Sequence, residues 1–403
     1  MTTAALGYPL QDLVARGAGH TAREIAQQPD LWHAVTASVA SGREQSEAFL
    51  RPLLDRPDLR IILTGAGTSA FAGQILAPTL SRQLGRRVDA VPTTDIVSNP
   101  RNCFAEDLPT LLVSFARSGD SPESVAATQL ADQCLSECYH LIVTCNRDGD
   151  LHRDHSGADR SLMLLMPEQS NDQGFAMTSS FTCMILGALL TLGPAADDSL
   201  VDRLATAAEQ VLYARSLDAA ALAARGYERI VYLGSGALTG LARESALKVL
   251  ELTAGRVVSY FDSPLGFRHG PKSLLDERTL ALIYLSDDPY TRAYDLDIVE
   301  ELRQSMGPSN VVVVTATESD RLTTDGTWFL KGLDGVGDTA LALPFVVVAQ
   351  LLALHFSLAA ELTPDTPFPS GEVNRVVQGV TIHPLYGYPP QHPPGASHHK
   401  CVP

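Results

Sequence analysis

Cations are scarce in this chain: 30 Lys and Arg stand against 46 Asp and Glu over 403 residues, a formal net charge of −16. That deficit excludes a nonspecific binder of nucleic acid or of an anionic membrane, because neither polyanion attracts the protein as a whole. An anionic small substrate would need a local cradle working against the global field. The six cysteines (Cys103, Cys134, Cys138, Cys145, Cys183, Cys401) contain no C-x-x-C pair and no disulfide-framework spacing. The opening MTTAALGYPLQDLVARG lacks a basic segment followed by an apolar one, so it predicts no signal peptide and a cytoplasmic protein. Charged residues make up only 19% of the chain and apolar ones 45%. A wholly disordered chain is thereby excluded, and the length suits two or three domains of ~100–200 residues each.

One apolar run stands out. Thr339–Ala360 holds 22 residues without Lys, Arg, Asp or Glu, long enough to cross a bilayer. Pro344, Gln350 and His355 interrupt it, and no basic cluster flanks it. The other reading is a helix buried on all sides within an α/β protein or at a subunit interface, with His355 a core residue.

Residues 1–45 predict a helical arm. Thr21–Pro29 reads as a capped helix stopped by proline, followed by the apolar anchor Leu31-Trp32. From Arg60 onward, short apolar runs alternate with helical stretches. Strands are expected at 61–64, 88–91, 110–115, 140–144 and 161–165, and again at 229–233, 257–260, 279–285, 310–315 and 328–330. Apolar strands with helical crossovers mean a parallel sheet covered on both faces. IILTGAGTSAFAG (61–73) lines up with IVYLGSGALTGLA (230–242), so Gly65 meets Gly234 and Gly67 meets Gly236 at one constant offset. Each copy is of domain length, so the chain reads as a duplicated α/β domain: 46–205 and 206–385 after the arm, then a Pro-rich tail over 386–403.

Ligands of open parallel sheets bind beyond the carboxyl ends of the strands. Gly65–Ser69 follows the first strand and Arg117–Ser121 the third. Both loops are glycine-containing and hydroxyl-rich, and both open helices. Gly67, Thr68, Ser69, Arg117, Ser118, Gly119 and Ser121 are therefore candidates for a phosphate cradle. The plainer alternative makes Ser69 and Ser121 helix caps. A dinucleotide site is the rival, since Gly65-x-Gly67-x-x-Ala70 precedes Asp89, but it leaves the second loop without a job. In the second copy Gly234-Ser235-Gly236 persists, whereas the third-strand loop reads Ser286-Asp-Asp-Pro289. Acids there repel phosphate, so one cradle per chain is expected. Helix 238–253 of this copy carries Glu244, Lys248 and Glu251. Glu244 and Lys248 either form a surface i,i+4 pair or, among small and apolar neighbours, a semi-buried carboxylate site. His269, ringed by Gly270 and Pro271, is a catalytic candidate. His152 and His155 in RDGDLHRDH lie in a polar context that predicts a solvated turn rather than a metal site. His398 and His399 fall in the tail and are expected to be inert.

G-x-G-T-S together with R-S-G-D-S-P-E-S resembles the double signature of SIS (sugar isomerase) phosphosugar-binding domains. Two tandem copies resemble the isomerase half of glucosamine-6-phosphate synthase. A nearer resemblance is to the tagatose-6-phosphate ketose/aldose isomerase family, also described as galactosamine-6-phosphate deaminase/isomerase. It extends over roughly 20–385 and includes EIAQQPDLW, NDQGFAMTSSFTCM, ARESALKVLELTAG, DSPLGFRHGPKS and NRVVQGVTI. The resemblance implies that Thr68, Ser69, Ser118 and Ser121 hold phosphate. It further implies that Glu244 moves a proton between C1 and C2, and that His269 opens the sugar ring. In the synthase that histidine comes from the neighbouring subunit, so a homodimer with a composite site is implied. Ser235, Lys248, Arg375 and Gln378 are possible accessory residues. Gln378 stands where the synthase has a lysine, which removes a Schiff base from that position, and Ala116 stands where its phosphate loop has a serine.

The implied reaction is deamination and isomerisation of an amino-sugar 6-phosphate, galactosamine 6-phosphate foremost, giving tagatose 6-phosphate and ammonia. No cofactor or metal is required. Aldose–ketose isomerisation without deamination, and a sensor that binds phosphosugars without turnover, are the alternatives.

Overall fold

The computed structural model describes residues 4–193 and 199–387. Ten strands form two five-stranded parallel sheets. The first contains β1 (Arg60–Thr64), β2 (Val88–Ala90), β3 (Thr110–Ala116), β4 (Cys138–Thr144) and β5 (Ser161–Leu165), in the order β2-β1-β3-β4-β5. The second contains β6 (Arg229–Gly234), β7 (Val258–Asp262), β8 (Thr279–Tyr284), β9 (Val311–Thr315) and β10 (Thr327–Phe329), in the order β7-β6-β8-β9-β10. The two orders are the same when counted from each sheet's own first strand, so the repeat seen in the glycines extends to the topology. Each strand lies within two residues of its expected limits.

Alternation along the strands explains how both sheet faces are buried. In the first lobe Ile61 and Leu63 face a core shared by the two lobes, and Ile62 faces an outer core with Leu112. In the second lobe Ile230 and Tyr232 face the shared core, and Val231 and Leu233 the outer one. The shared layer is built by α4 (Thr68–Leu84), α6 (Ser179–Leu192), α7 (Ala237–Leu252) and α9 (Asp338–Ala359). α9 is the long apolar run. Its whole apolar window is buried inside the protein, with Gln350 Oε1 accepting from Gln28 Nε2 at 2.7 Å and His355 Nε2 3.1 Å from Ser216 Oγ. A helix apolar all round is thus satisfied by protein on every side.

The arm comprises α1 (Gly19–Ala26), α2 (Gln28–Ser41) and α3 (Arg43–Leu54). Contrary to expectation Pro29 does not stop a helix; it sits in the first turn of α2, where its missing N–H costs nothing. α3 runs straight through the boundary set at residue 45. Trp32 anchors the arm by donating from Nε1 to Thr182 Oγ1 at 3.0 Å. Two further crossover helices matter below, α5 (Pro122–Cys134) and α8 (Pro289–Met306). After α9 the chain returns over the first lobe as an extended strap to residue 387. Arg101 and Gln133 hold it there through the carbonyls of Tyr386 and Leu385. Residues 388–403 of the expected tail, His398 and His399 included, lie outside the described residues.

Candidate active site

The two helices that follow the first strand of each sheet begin alike. Gly67 (φ 55°, ψ −126°) precedes α4 and Gly236 (φ 57°, ψ −123°) precedes α7, a backbone conformation that favours glycine. α4 and α7 pack together, Ile75 lying against Gly240, so the start of α4 is carried to the side of α7. There Lys248 Nζ donates to Thr68 Oγ1 at 3.1 Å and to Glu251 Oε2 at 2.5 Å, and lies 3.3 Å from Glu244 Oε1. A carboxylate–ammonium–carboxylate row from the second lobe therefore abuts the first lobe's Gly67–Ser69 loop.

The members of that row differ in access. The Glu244 and Lys248 side chains are 0% exposed, that of Glu251 23%. Neither Glu244 oxygen has a well-aligned hydrogen-bond partner. Burial pushes the Glu244 carboxyl up to about 8, with Lys248 opposing and Glu251 adding to the rise. Burial also works against the Lys248 ammonium, but Glu244 and Glu251 outweigh it and hold the group above its ordinary value. The exposed surface pair considered from sequence is not what forms. Glu244, the carboxylate expected to meet the substrate, is fully buried beside Lys248. Glu251, two helical turns further on, is the carboxylate with an open side. The E-x-x-x-K-x-x-E spacing contained it, but only burial tells the two glutamates apart.

The floor of the site is the segment Ser170–Thr178. Asp172 accepts from the backbone and hydroxyl groups of Thr178, Ser179 and Ser180, fixing the start of α6. Glu24 of α1 accepts from Gln173 N at 2.5 Å and Gly174 N at 3.1 Å. Burial, reinforced by Asp172, raises Glu24 to about 7. The pinned loop then presents Met177 Sδ to Ser69 Oγ at 3.9 Å and the Phe175 carbonyl to Arg117 Nη1 at 3.3 Å. Arg117 is buried beneath its loop, and its Nη2 donates to the Arg375 carbonyl on the strap at 2.6 Å. Glu24 and this floor were not singled out from sequence as site residues.

Other candidates fall into place or away. Ser118 Oγ accepts from Asp120 N at 3.3 Å, and Ser121 Oγ lies 2.6 Å from Ser124 Oγ at the start of α5. Gly119 has φ 74° within that turn. Ser235 is engaged elsewhere: it donates to Asp295 Oδ1 on α8 at 2.5 Å, and Asp295 Oδ2 accepts from Ser286 N at 3.0 Å. The second lobe thus fills the place of a phosphate cradle with its own carboxylate, which burial raises to about 6. His269 is exposed, beyond the short helix Pro264–Phe267, and Gln378 is exposed on the strap. Asp89, the acid of the dinucleotide reading, is paired with Arg87 at 2.7 Å and Arg60 at 3.7 Å. His155 is not in a solvated turn: it ends the helix Asp150–His155, is buried, and packs its ring 4.6 Å from that of His140.

Comparison with known proteins shows the family and the fold. A family model described as SIS domain matches residues 53–192. An AgaS protein of Streptomyces coelicolor is 61% identical over 387 residues, covering 96% of this chain and 100% of that protein. D-galactosamine-6-phosphate deaminase AgaS of Escherichia coli is 48% identical over 368 residues, 90% of this chain and 95% of its own. The crystal structure of tagatose-6-phosphate ketose/aldose isomerase from Escherichia coli superposes with a TM-score of 0.83 at 44% identity, over 91% of this chain and 97% of that one. With tandem SIS folds and relatives matched over nearly its whole length, this chain belongs to the AgaS family of SIS-domain phosphosugar deaminase/isomerases.

Proposed function

We propose that the protein converts galactosamine 6-phosphate and water into tagatose 6-phosphate and ammonia. The observation that carries this reading is the Glu244–Lys248–Glu251 row set against Thr68: a proton-moving group beside a phosphate loop, at the carboxyl end of the first sheet. The names of the relatives supply the sugar.

In the proposed sequence of steps the loops at Gly67–Ser69 and Arg117–Ser121 hold the phosphate. His269, exposed on one protomer, serves the site of a second copy and moves a proton between ring oxygen and anomeric hydroxyl to open the sugar. Glu251 takes the proton from C2 and returns it at C1 through an enolamine. The resulting ketimine at C2 adds water and expels ammonia, leaving the ketone. Lys248 steadies the negative charge on the base, and Glu244, holding its proton, sits behind Lys248. General acid–base catalysis of this kind is worth ~10²–10⁴ in rate. A homodimer, with the site completed by a second copy, and a cytoplasmic location belong to the same reading.

The test is ammonia release by the full chain from a panel of hexosamine 6-phosphates, with the sugar product identified. Galactosamine 6-phosphate is expected to give ammonia and tagatose 6-phosphate in equal amounts. Aldose–ketose interconversion with no ammonia from any amino sugar would replace this reading by a plain isomerase. Binding without turnover would replace it by a sensor.

A further inference from the structure

Two arginines meet under the first lobe's second loop, the Arg117 guanidinium donating to the Arg375 backbone carbonyl. Arg117 is 6% exposed and opens that loop; Arg375 arrives from the strap, more than 250 residues later. Backbone carbonyls hold both. Arg117 donates to Phe175 O and Arg375 O, and Arg375 Nη2 donates to Asp172 O. The Arg375 Nε is buried and has no partner. Among the described residues neither guanidinium has a carboxylate ion-pair partner. The acids that act on Arg117 are Asp172 and Glu251. Both are already engaged, Asp172 by the donors of Thr178–Ser180 and Glu251 by Lys248.

Like charges brought together in a partly desolvated place raise each other's free energy, and an unused buried donor adds to it. Carbonyl dipoles offset only part of that cost. An anion offsets it directly, and a guanidinium's planar fork matches the oxygens of a phosphate.

We propose that Arg375, carried in by the C-terminal strap, joins Arg117 in a paired-guanidinium site for a phosphate dianion, so that filling the site also seats the strap. That this phosphate is the 6-phosphate of an amino sugar rests on the reading above; the anion site itself does not. Recognition of the phosphorylated substrate then depends on a segment remote in sequence from both phosphate loops.

The experiment titrates inorganic phosphate into the full chain by calorimetry, without turnover. Arg375→Ala is expected to weaken phosphate binding ~10–100-fold, the range for a lost hydrogen bond to a charged group. The KM for galactosamine 6-phosphate should rise with it while kcat changes less. Arg375→Lys keeps the charge but not the fork and should recover part of the loss. Should Arg375→Ala fail to fold, Arg375→Gln carries the same test, since it retains a donor for the Asp172 carbonyl. Gln133→Ala is the control: it removes a different tether of the same strap, the bond to Leu385 O at 3.0 Å, and should leave phosphate affinity unchanged. Phosphate should also slow proteolysis of 372–387 in the wild type and not in Arg375→Ala. Wild-type phosphate affinity in Arg375→Ala, or an equal loss in Gln133→Ala, overturns the paired site. Equal proteolytic protection in both proteins overturns the seating of the strap. Normal Arg375-dependent phosphate binding in a protein that releases no ammonia would count against the deaminase reading alone.

Discussion

Lys248 Nζ lies 3.1 Å from Thr68 Oγ1, although 180 positions separate them along the chain. The contact joins the second lobe's helix α7 to the first lobe's Gly67–Ser69 loop. It sets the hydroxyl loop of one copy beside the carboxylate–ammonium–carboxylate row of the other. In the second lobe the corresponding glycine loop is instead engaged by a carboxylate, Asp295 accepting from Ser235 and from the Ser286 backbone.

The two glutamates flanking Lys248 should respond differently to the same substitution. Glu251→Gln should lower kcat by ~10²–10⁴ and abolish solvent-deuterium exchange at C2, while binding of a sugar-phosphate inhibitor persists. Glu244→Gln should keep most activity at neutral pH, because an amide imitates a protonated carboxyl. Its effect belongs to alkaline pH: wild-type activity should change as Glu244 loses its proton near 8, and the variant should lack that limb. A pH–rate profile of both variants decides it. Full loss at pH 7 in Glu244→Gln with retained activity in Glu251→Gln would exchange their roles.

Ser118→Ala and Ser121→Ala should act on binding. A hydrogen bond to a charged group is worth ~1.5–3 kcal/mol, so KM should rise tenfold or more where KM follows Kd. Steady-state kinetics checks this, and unchanged KM in both variants removes the loop from the phosphate site.

Stability should fall as pH rises across the range in which Glu24 resists ionisation. Burial raises its pKa from 4.5 to about 7, so the folded state binds more protons than the unfolded chain between those values. The stabilisation is complete below pH 4.5 and is lost as pH climbs through about 7. Denaturant midpoints measured across this window should decline more steeply in wild type than in Glu24→Gln. Parallel curves would show that the group titrates normally.

Mixing two inactive variants tests the proposed sharing of a site between two copies. Glu251→Gln and His269→Asn homodimers, unfolded and refolded together, should regain activity, because some mixed dimers contain one site with both groups intact. Neither variant alone should do so. No recovery from a mixture shown to contain heterodimers would place His269 in its own protomer's site or outside the chemistry.

Most of the architecture was legible in the order of residues. Strand positions followed from short apolar runs, because a sheet buried on both faces tolerates little else. The duplication followed from Gly65/Gly67 and Gly234/Gly236, since a helix entered through a residue at positive φ strongly prefers glycine. The long apolar stretch 339–360 remained open between membrane and core, because hydropathy measures what a helix avoids and not what surrounds it. Pro29 was misplaced for a related reason: a proline marks a helix boundary without saying which side of it the helix lies on.

The amino-acid sequence by itself determined the two parallel sheets, the hydroxyl loop signatures and the family, all of which depend on local spacing. Tertiary structure decided which charged groups are buried and which stay open. Glu244 and Glu251 are alike in chemistry and lie on one helix, and only the packing of α7 against α4 buries the first and leaves the second open. Arg375 and Glu24 gain their places from segments near opposite ends of the chain, folded back onto one loop. Such contacts leave no periodic signal in sequence, because the distance that matters is closed only when the lobes, the arm and the strap have come together.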